Sequence, residues 1–358
     1  MIKLPIPLLH TSYEVLIGKG LISQSGELAA KVLVPGRCAV VTDSNVATYY
    51  LEPTLASLQT AGFDPVTFIV PAGEKSKSMS QAEDLCQQMI AAGMDRKSSL
   101  FALGGGVIGD LAGFVAAIFQ RGIPFVQLPT TIVAQVDSSV GGKTGVNTST
   151  GKNLIGTFHQ PRLVIADPHT LETLPDREYW EGFAEIIKHA IIRDASMLES
   201  LPTKRSDPLA SLIARNVAIK AAIVVADEKE ENGLRALLNF GHTLGHGIEN
   251  AAGYGFFLHG EAISLGIIAA LWLSVHHAGL SDSSLQQITQ LLLALALPVT
   301  LPNHIDTDSI LTSIGKDKKF ERGAMRFVLT KHLGSAYVSS EITGQDARAA
   351  IEYLRTPS

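Results

Sequence analysis

The chain has 358 residues, 46% of them hydrophobic and only 18% charged, with a formal net charge of −5 and a mean hydropathy of +0.22. That is enough apolar material for two cores, and an acidic balance without a basic run excludes the usual signature of a nucleic-acid partner. Two cysteines, Cys38 and Cys86, are too few for a disulfide framework and fit a reducing cytoplasm, and MIKLPIPLLHTSYEV carries no feature of a secretory signal.

The first half alternates short β-rich runs with helical ones. CAVVTD (38–43), VTFIV (66–70), SLFALGG (99–105), FVQLP (125–129) and RLVIAD (162–167) read as buried strands, with a helix at MSQAEDLCQQMIAAG (79–93). This alternation predicts βαβ units and a parallel sheet with ligand loops at the strand carboxyl ends. Residues 100–119 and 262–275 are apolar enough to raise the question of a membrane span. The first carries five glycines and Asp110, and the second falls short of the length a span needs, about 20 residues. Both read as buried core.

From about Asp176 long helical patterns take over. Asp207 followed by Pro208 is a helix-start signal, and Leu209, Leu212, Ile213, Val217, Ala221, Val224 and Val225 lie on one helical face. A further helix opens at Ser281–Ser284 and stops before Pro298. The expected fold is a Rossmann-like α/β domain over 1–175 and an all-α domain over 176–358, with the active site in the cleft between them.

Several segments carry candidate chemistry. GGGVIGD (104–110) follows a strand and opens a helix, so it fits either a turn that admits a pyrophosphate or a tight strand–helix packing turn. No acidic residue stands about 20 positions beyond it, which argues against a standard dinucleotide fingerprint. In PAGEKSK (71–77), Glu74 and Lys77 offer groups for ribose and phosphate, although taken alone this is an ordinary charged loop. Thr130 and Thr131 sit where a parallel strand delivers ligand contacts. The Gly/Ser/Thr-rich loop 136–161 combines backbone N–H groups with Asp137, Lys143, Lys152 and Asn153, which suits a phosphorylated ligand. Its GGKT is not a P-loop, because Asp137 stands where the first glycine is required. Lys220 lies on an apolar helix face and needs an anionic partner or a ligand, unless its stem carries the ammonium out to solvent. Arg235, Asn239, His242 and His246 extend in phase as one polar helical stripe. His242, His246 and His259 stand in a glycine-rich stretch, with Glu185 on an upstream helix. Two imidazoles and one carboxylate with an open position form a recurrent catalytic zinc arrangement.

Taken as blocks, VTDSNV, PAGEKSKS, LGGGVIGDLAGFVAA, RGIPFVQLPTTIVAQVDSSVGGKTGVN, GKNLIGTFHQP, EGFAEIIKHA, DEKEENGLRALLNFGHTLGHGIE, LHGEAISLG and KDKK resemble the 3-dehydroquinate synthase family of sugar-phosphate cyclases over nearly the whole length. The resemblance implies an NAD- and metal-dependent lyase, a homodimer with zinc or cobalt. It would convert 3-deoxy-D-arabino-heptulosonate 7-phosphate to 3-dehydroquinate and phosphate, a step of the shikimate route to chorismate and aromatic amino acids. The metal ligands it implies are Glu185, His242 and His259, with His246 turned to the substrate. The NAD contacts it implies are Asp43, Asn45, Glu74, Lys77, Gly105, Gly106, Val107, Gly109, Asp110, Thr130, Thr131, Lys143, Lys152, Thr170, Thr173 and Leu174. Substrate contacts would come from Asp137, Lys143, Lys152, Asn153, Lys188, Lys220, Arg235, Asn239 and His246, with Arg121 reaching the phosphate site of the neighbouring subunit. DEKEENGLR is one residue longer than the usual pattern. Glu230 is preferred to Glu231 as the active-site glutamate, because it keeps a ten-residue spacing from Lys220. Lys318 stands for the KDKK run, with Lys319 its alternative. The competing readings are a glycerol-type polyol dehydrogenase and a sister cyclase acting on a sugar phosphate without a carboxylate.

Overall fold

The computed structural model describes residues 1–149, 151–202, 204–205, 208–253, 255–316, 320–321 and 324–356. They form two compact units, Met1–Leu174 with Lys204–Lys229, and Pro175–Thr203 with Glu230–Ser358. A single cut at 175/176 therefore differs from this division at Pro175, which opens the second unit, and at the segment 204–229, which groups with the first.

The first unit is built on a seven-stranded sheet. Its strands are β1 (Ile2–Ile6), β2 (Tyr13–Ile17), β3 (Arg37–Asp43), β4 (Asp64–Val70), β5 (Ser99–Gly104), β6 (Phe125–Pro129) and, later in the chain, β9 (Leu163–Ala166). Their order is β1-β2-β9-β6-β5-β3-β4, with β1 antiparallel to β2 and every other neighbouring pair parallel. Strands buried on both faces need apolar side chains in both alternating registers, and all six residues of β5 are buried. Ala39 and Val41 face a core with Leu85, Leu111 and Phe114, while Cys38 and Val40 face another with Leu28, Tyr50 and Leu58. Helices α1 (Ser25–Ala29) and α2 (Ser44–Thr60) cover one face, and α3 (Met79–Ala91) and α4 (Gly106–Ile118) the other.

The segment expected to be a loop at 136–161 is mostly an antiparallel hairpin, β7 (Lys143–Thr148) and β8 (Gly151–Phe158). Glycine allows it. A Cβ on Gly145 would lie 2.7 Å from the Ile155 carbonyl oxygen, and one on Gly156 2.3 Å from that of Thr144. Val146 and Thr144 turn inward, and Gly113 of α4 leaves room for the Thr144 methyl.

Helices α5 (Asp176–Glu181) and α6 (Phe183–Arg193) open the second unit, and the chain then returns to the first with α7 (Ala210–Ala226). Asp207 lies outside the described residues, and α7 begins at Ala210 after Leu209. This helix packs on Ala134–Ser138 and on β1 and β2. Lys220 finds its anionic partner there, since its Nζ lies 2.8 Å from Asp137 Oδ1 and 2.8 Å from the Asp137 carbonyl oxygen.

The rest of the second unit comprises α8 (His242–Ala252), α9 (His259–Ala278), α10 (Asp282–Ala294), α11 (Thr307–Lys316) and α12 (Gly344–Tyr353). It is helical, as expected, and adds the short hairpins β10–β11 (Phe320–Glu321, Ala324–Met325) and β12–β13 (Phe327–His332, Ser335–Ser339). Among the described residues α9 is the helix long and apolar enough to cross a membrane, and 67% of its apolar window is buried within the fold.

The continuous stripe from Arg235 to His246 does not form. Arg235–Asn239 is a separate 3-10 turn, and Gly241, at φ 76°, breaks the path before α8. Tertiary packing demands the break. A Cβ on Gly241 would stand 2.8 Å from the Ile267 amide nitrogen, and one on Gly266 2.0 Å from the Gly241 carbonyl oxygen, so α8 and α9 cross backbone to backbone.

Candidate active site

In the first unit, groups gather at the carboxyl ends of the parallel strands. The β5–α4 turn is glycine because space is scarce. A Cβ on Gly104 would meet Ile108 at 2.7 Å, on Gly105 the Thr131 methyl at 2.9 Å, and on Gly109 Gln127 Oε1 at 2.9 Å. The packing reading of this motif therefore holds. The pyrophosphate reading survives beside it, because no side chain caps the first turn of α4. Such a helix start offers N–H groups and a positive dipole end to an anion. Thr130, at the end of β6, is 3% exposed, and its hydroxyl lacks a hydrogen-bond partner, which a bound polar ligand would supply.

Charged pairs tie the surrounding loops together. Lys77 Nζ lies 2.5 Å from Asp110 Oδ2, both side chains largely buried. Burial pushes the Asp110 carboxyl up, and Lys77 opposes the shift. Glu74 accepts a hydrogen bond from Asn147 Nδ2 at 2.7 Å and lies 3.8 Å from Lys152 Nζ. The Asn147 amide donates to the Lys77 carbonyl at 2.8 Å, which docks the β7–β8 hairpin on the PAGEKSK loop.

Other expected contacts have local duties. Asp43 caps α2 by accepting from the amides of Asn45 and Val46, and Asn45 is exposed. Thr131 Oγ1 accepts from the Ala134 amide at 3.1 Å. The Thr170 hydroxyl accepts from Gln135 Nε2 at 3.0 Å, Thr173 Oγ1 bonds the Tyr50 hydroxyl at 2.7 Å, and the Leu174 carbonyl accepts from Arg205. Gly106 and Val107 form the first turn of α4, and Lys143 and Asn153 are exposed on the hairpin. Arg121 is exposed beyond the far end of α4, about 20 Å along the axis from Gly106. The structure thus separates it from the α4 turn.

In the second unit, α6, α8 and α9 bring together Glu185, His242 and His259. Glu185 is fully buried. Its Oε1 lies 3.3 Å from His242 Nε2 and 3.1 Å from His259 Nε2, while Oε2 pairs with Lys188. His242, His246 and His259 each offer a nitrogen within 4.8 Å of the others. The fit to a metal is direct. Ligands about 2.0–2.1 Å from a tetrahedral zinc stand about 3.3 Å apart, which is the spacing of both imidazoles from the carboxylate oxygen.

The electrostatics agree. Burial alone would raise the Glu185 carboxyl, but Lys188 and His242 hold it well below the usual carboxylate range. Burial pushes His242 down, against the pull of Glu185. Burial also opposes charge on His259, yet Glu185 and Glu249 outweigh it and raise the imidazole to about 10. Burial lifts Glu181 to about 7, and its carboxylate accepts from the Gly260 amide at the start of α9.

Arg235 is buried and Asn239 half-buried on the turn before α8, and Glu230 is half-buried at φ 62°. Lys318 lies outside the described residues. Sequence reading passed over Glu249, Glu181 and Asn147. A signal existed for Glu249, since it stands seven residues after His242 and three after His246, which is one helical face.

An uncapped helix at the carboxyl edge of a parallel sheet, with a buried carboxylate–histidine centre in a helical unit, marks an enzyme of the dehydroquinate synthase-like fold. Models of the 3-dehydroquinate synthase N-terminal and C-terminal domains match residues 67–181 and 182–320. The chain belongs to the 3-dehydroquinate synthase family, whose chemistry is that of a carbon–oxygen lyase. A 3-dehydroquinate synthase of Salinibacter ruber is 46% identical over 332 residues, 90% of this chain and 89% of the relative. One of Symbiobacterium thermophilum is 45% identical over 352 residues, 96% and 98% of the two chains. Among solved structures, 2-epi-5-epi-valiolone synthase of Streptomyces hygroscopicus subsp. jinggangensis 5008, with NAD+ and Zn2+ bound, is 29% identical. It matches with a TM-score of 0.88, covering 97% of this chain and 98% of that one.

Proposed function

We propose that the chain converts 3-deoxy-D-arabino-heptulosonate 7-phosphate to 3-dehydroquinate and phosphate through alcohol oxidation, phosphate elimination, ketone reduction, ring opening and aldol closure. The observation that carries this reading is the convergence of two imidazole nitrogens on one buried carboxylate oxygen, in a chain that belongs to this family. Bound NAD would take and return the hydride, and a bound zinc or cobalt ion would acidify the substrate alcohol and polarise the carbonyl that oxidation creates.

Glu185, His242 and His259 would hold the cation. The α4 turn at Gly105–Asp110, with Thr130, Glu74 and Lys77, would hold the dinucleotide. Lys143, Lys152 and His246 would bind the phosphate and stabilise its growing charge as it leaves. The departing phosphate serves as its own base, so these residues need only to orient it. Arg235, with Lys220 or Lys318, would fix the substrate carboxylate through a bidentate contact. Lys188, Asn153, Asn239, Glu230 and Asp137 complete the polar lining. The chain acts as a cytoplasmic homodimer in this reading, supported by its free cysteines and by the exposure of Arg121 at the far end of α4 from the glycine turn. The thiol of Cys38 is pushed up to about 12 by burial, which keeps it unreactive.

The test is phosphate release from the heptulosonate phosphate, with and without a chelator. Release that stops on chelation and resumes with added zinc or cobalt is expected, with no net NADH. Net NADH from glycerol without phosphate release would instead make the chain a polyol dehydrogenase.

A further inference from the structure

We propose that Glu249 is a positioning residue for the metal centre, holding His259 from behind and offsetting part of the charge of a bound dication. The inference rests on the ligand assignment proposed above. The two ligand imidazoles are turned alike. His242 presents Nε2 to Glu185 and has its Nδ1 3.1 Å from the Phe240 carbonyl oxygen. His259 presents Nε2 to Glu185 at 3.1 Å, and its Nδ1 lies 4.0 Å from Glu249 Oε2. Each ring thus has the shared carboxylate on its inner nitrogen and a second oxygen on its outer one. An outer acceptor fixes the tautomer and aims the inner lone pair.

The two backings differ in kind. Phe240 gives a neutral carbonyl from the turn before α8, and Glu249 gives a carboxylate from the last turns of α8 itself. The spacing of 4.0 Å exceeds hydrogen-bond length, so Glu249 acts on the ring as a nearby charge. Glu249 is 5% exposed, so its charge reaches the ring through little solvent. Lys188 pairs with Glu185, and a dication held by neutral imidazoles would bring two positive charges into a buried site that also holds Glu181. A carboxylate on the outer edge of His259 removes one of them.

The experiment measures Co2+ affinity by chelator competition in the full chain with NAD present, for the native protein and for Glu249→Gln, Glu249→Asp and His242→Ala. Glu249→Gln should bind Co2+ roughly 10- to 100-fold more weakly, with an altered cobalt absorption spectrum. Glu249→Asp, which restores the charge at shorter reach, should lie between it and the native protein. Thermal unfolding of each variant before and after Co2+ addition separates this role from a packing role. The rise in melting temperature on Co2+ addition should shrink in Glu249→Gln. A native affinity, spectrum and metal-induced rise in Glu249→Gln overturn the proposal, even where the metal-free protein melts earlier. Native Co2+ affinity in His242→Ala would instead overturn the ligand assignment itself.

Discussion

The two units handle charge in opposite ways. In the first, charged groups near the strand ends meet partners from other elements: Lys77 with Asp110, Lys220 with Asp137, and Lys152 with Glu74, which also accepts from Asn147. In the second, one buried carboxylate faces Lys188, His242 and His259 together. Pairing tethers loops to helices and leaves the ligand work to backbone amides and strand-end hydroxyls. Convergence gathers one ammonium and two imidazole edges on a single buried carboxylate, an arrangement held together by backbone contact at Gly241, Gly260 and Gly266. The first arrangement is therefore taken apart pair by pair, and the second fails as a whole.

His242→Ala tests the second arrangement and carries the largest expected effect. The variant should lose its metal and on the order of 10³-fold or more of its turnover, because a Lewis acid and a substrate anchor disappear together. Metal content by elemental analysis checks it, and a normal content would remove His242 from the ligand set.

Lys77→Met tests the first. It leaves Asp110 buried without its partner, a change that costs roughly 3–5 kcal/mol in a well-buried pair. Asp110 is already pushed up by burial. A folded-state pKa raised above the unfolded value means that stability is greatest at low pH and falls as pH rises through that window. Loss of the opposing ammonium widens the window upward. Urea unfolding should therefore show a larger deficit at pH 8 than at pH 5, with metal content unchanged. Equal deficits would mean that loss of Lys77 leaves the Asp110 carboxyl ionised at both pH values.

Legibility in the sequence followed the same division. The parallel strands β3, β4, β5, β6 and β9 were readable because strands buried on both faces leave unbroken apolar runs. β1 and β2 were not, since IKLPI and YEVLI are five residues long and close an edge by antiparallel pairing. The β7–β8 hairpin hid behind glycine, serine and threonine, chosen for backbone proximity rather than for strand preference. Return of 204–229 to the first unit is fixed by tertiary contact, of which Lys220 was the local trace. The histidines and Glu185 stood out by residue type and spacing. Yet the helical phase drawn from Arg235 to His246 failed at Gly241, where the obstacle belongs to α9. Sequence patterns report an element's own periodicity and are silent about the neighbour that interrupts it.

Lys152→Ala probes whether the paired charges of the first unit also serve a ligand. Its ammonium carries three N–H donors and lies 3.8 Å from Glu74, so a phosphate within reach would compete with that pair. A charged hydrogen bond is worth about 1.5–3 kcal/mol, or roughly 10- to 100-fold in affinity. The variant should lose that much for phosphate-bearing substrate analogues and little for a phosphate-free carbocycle. Equal losses on the two would assign Lys152 to the hairpin alone.

The smallest effect expected is a slope. His259 is raised to about 10 in the metal-free protein, so at neutral pH its ring carries a proton that a cation must displace. Only the neutral ring binds, so affinity for the cation should rise with pH, about tenfold or 1.4 kcal/mol per unit, until pH approaches that value. Chelator competition with Co2+ between pH 6 and 8 would give a slope near one in log affinity, and a pH-stat would record about one proton released per ion bound. NAD affinity should stay nearly flat over the same range, because the buried charges beside the α4 turn, Lys77 and Asp110, already meet each other. A flat metal curve would mean that His259 is neutral before the ion arrives. Glu185 would then face one cation, Lys188, rather than two, and the contrast between the two units would lose its electrostatic basis.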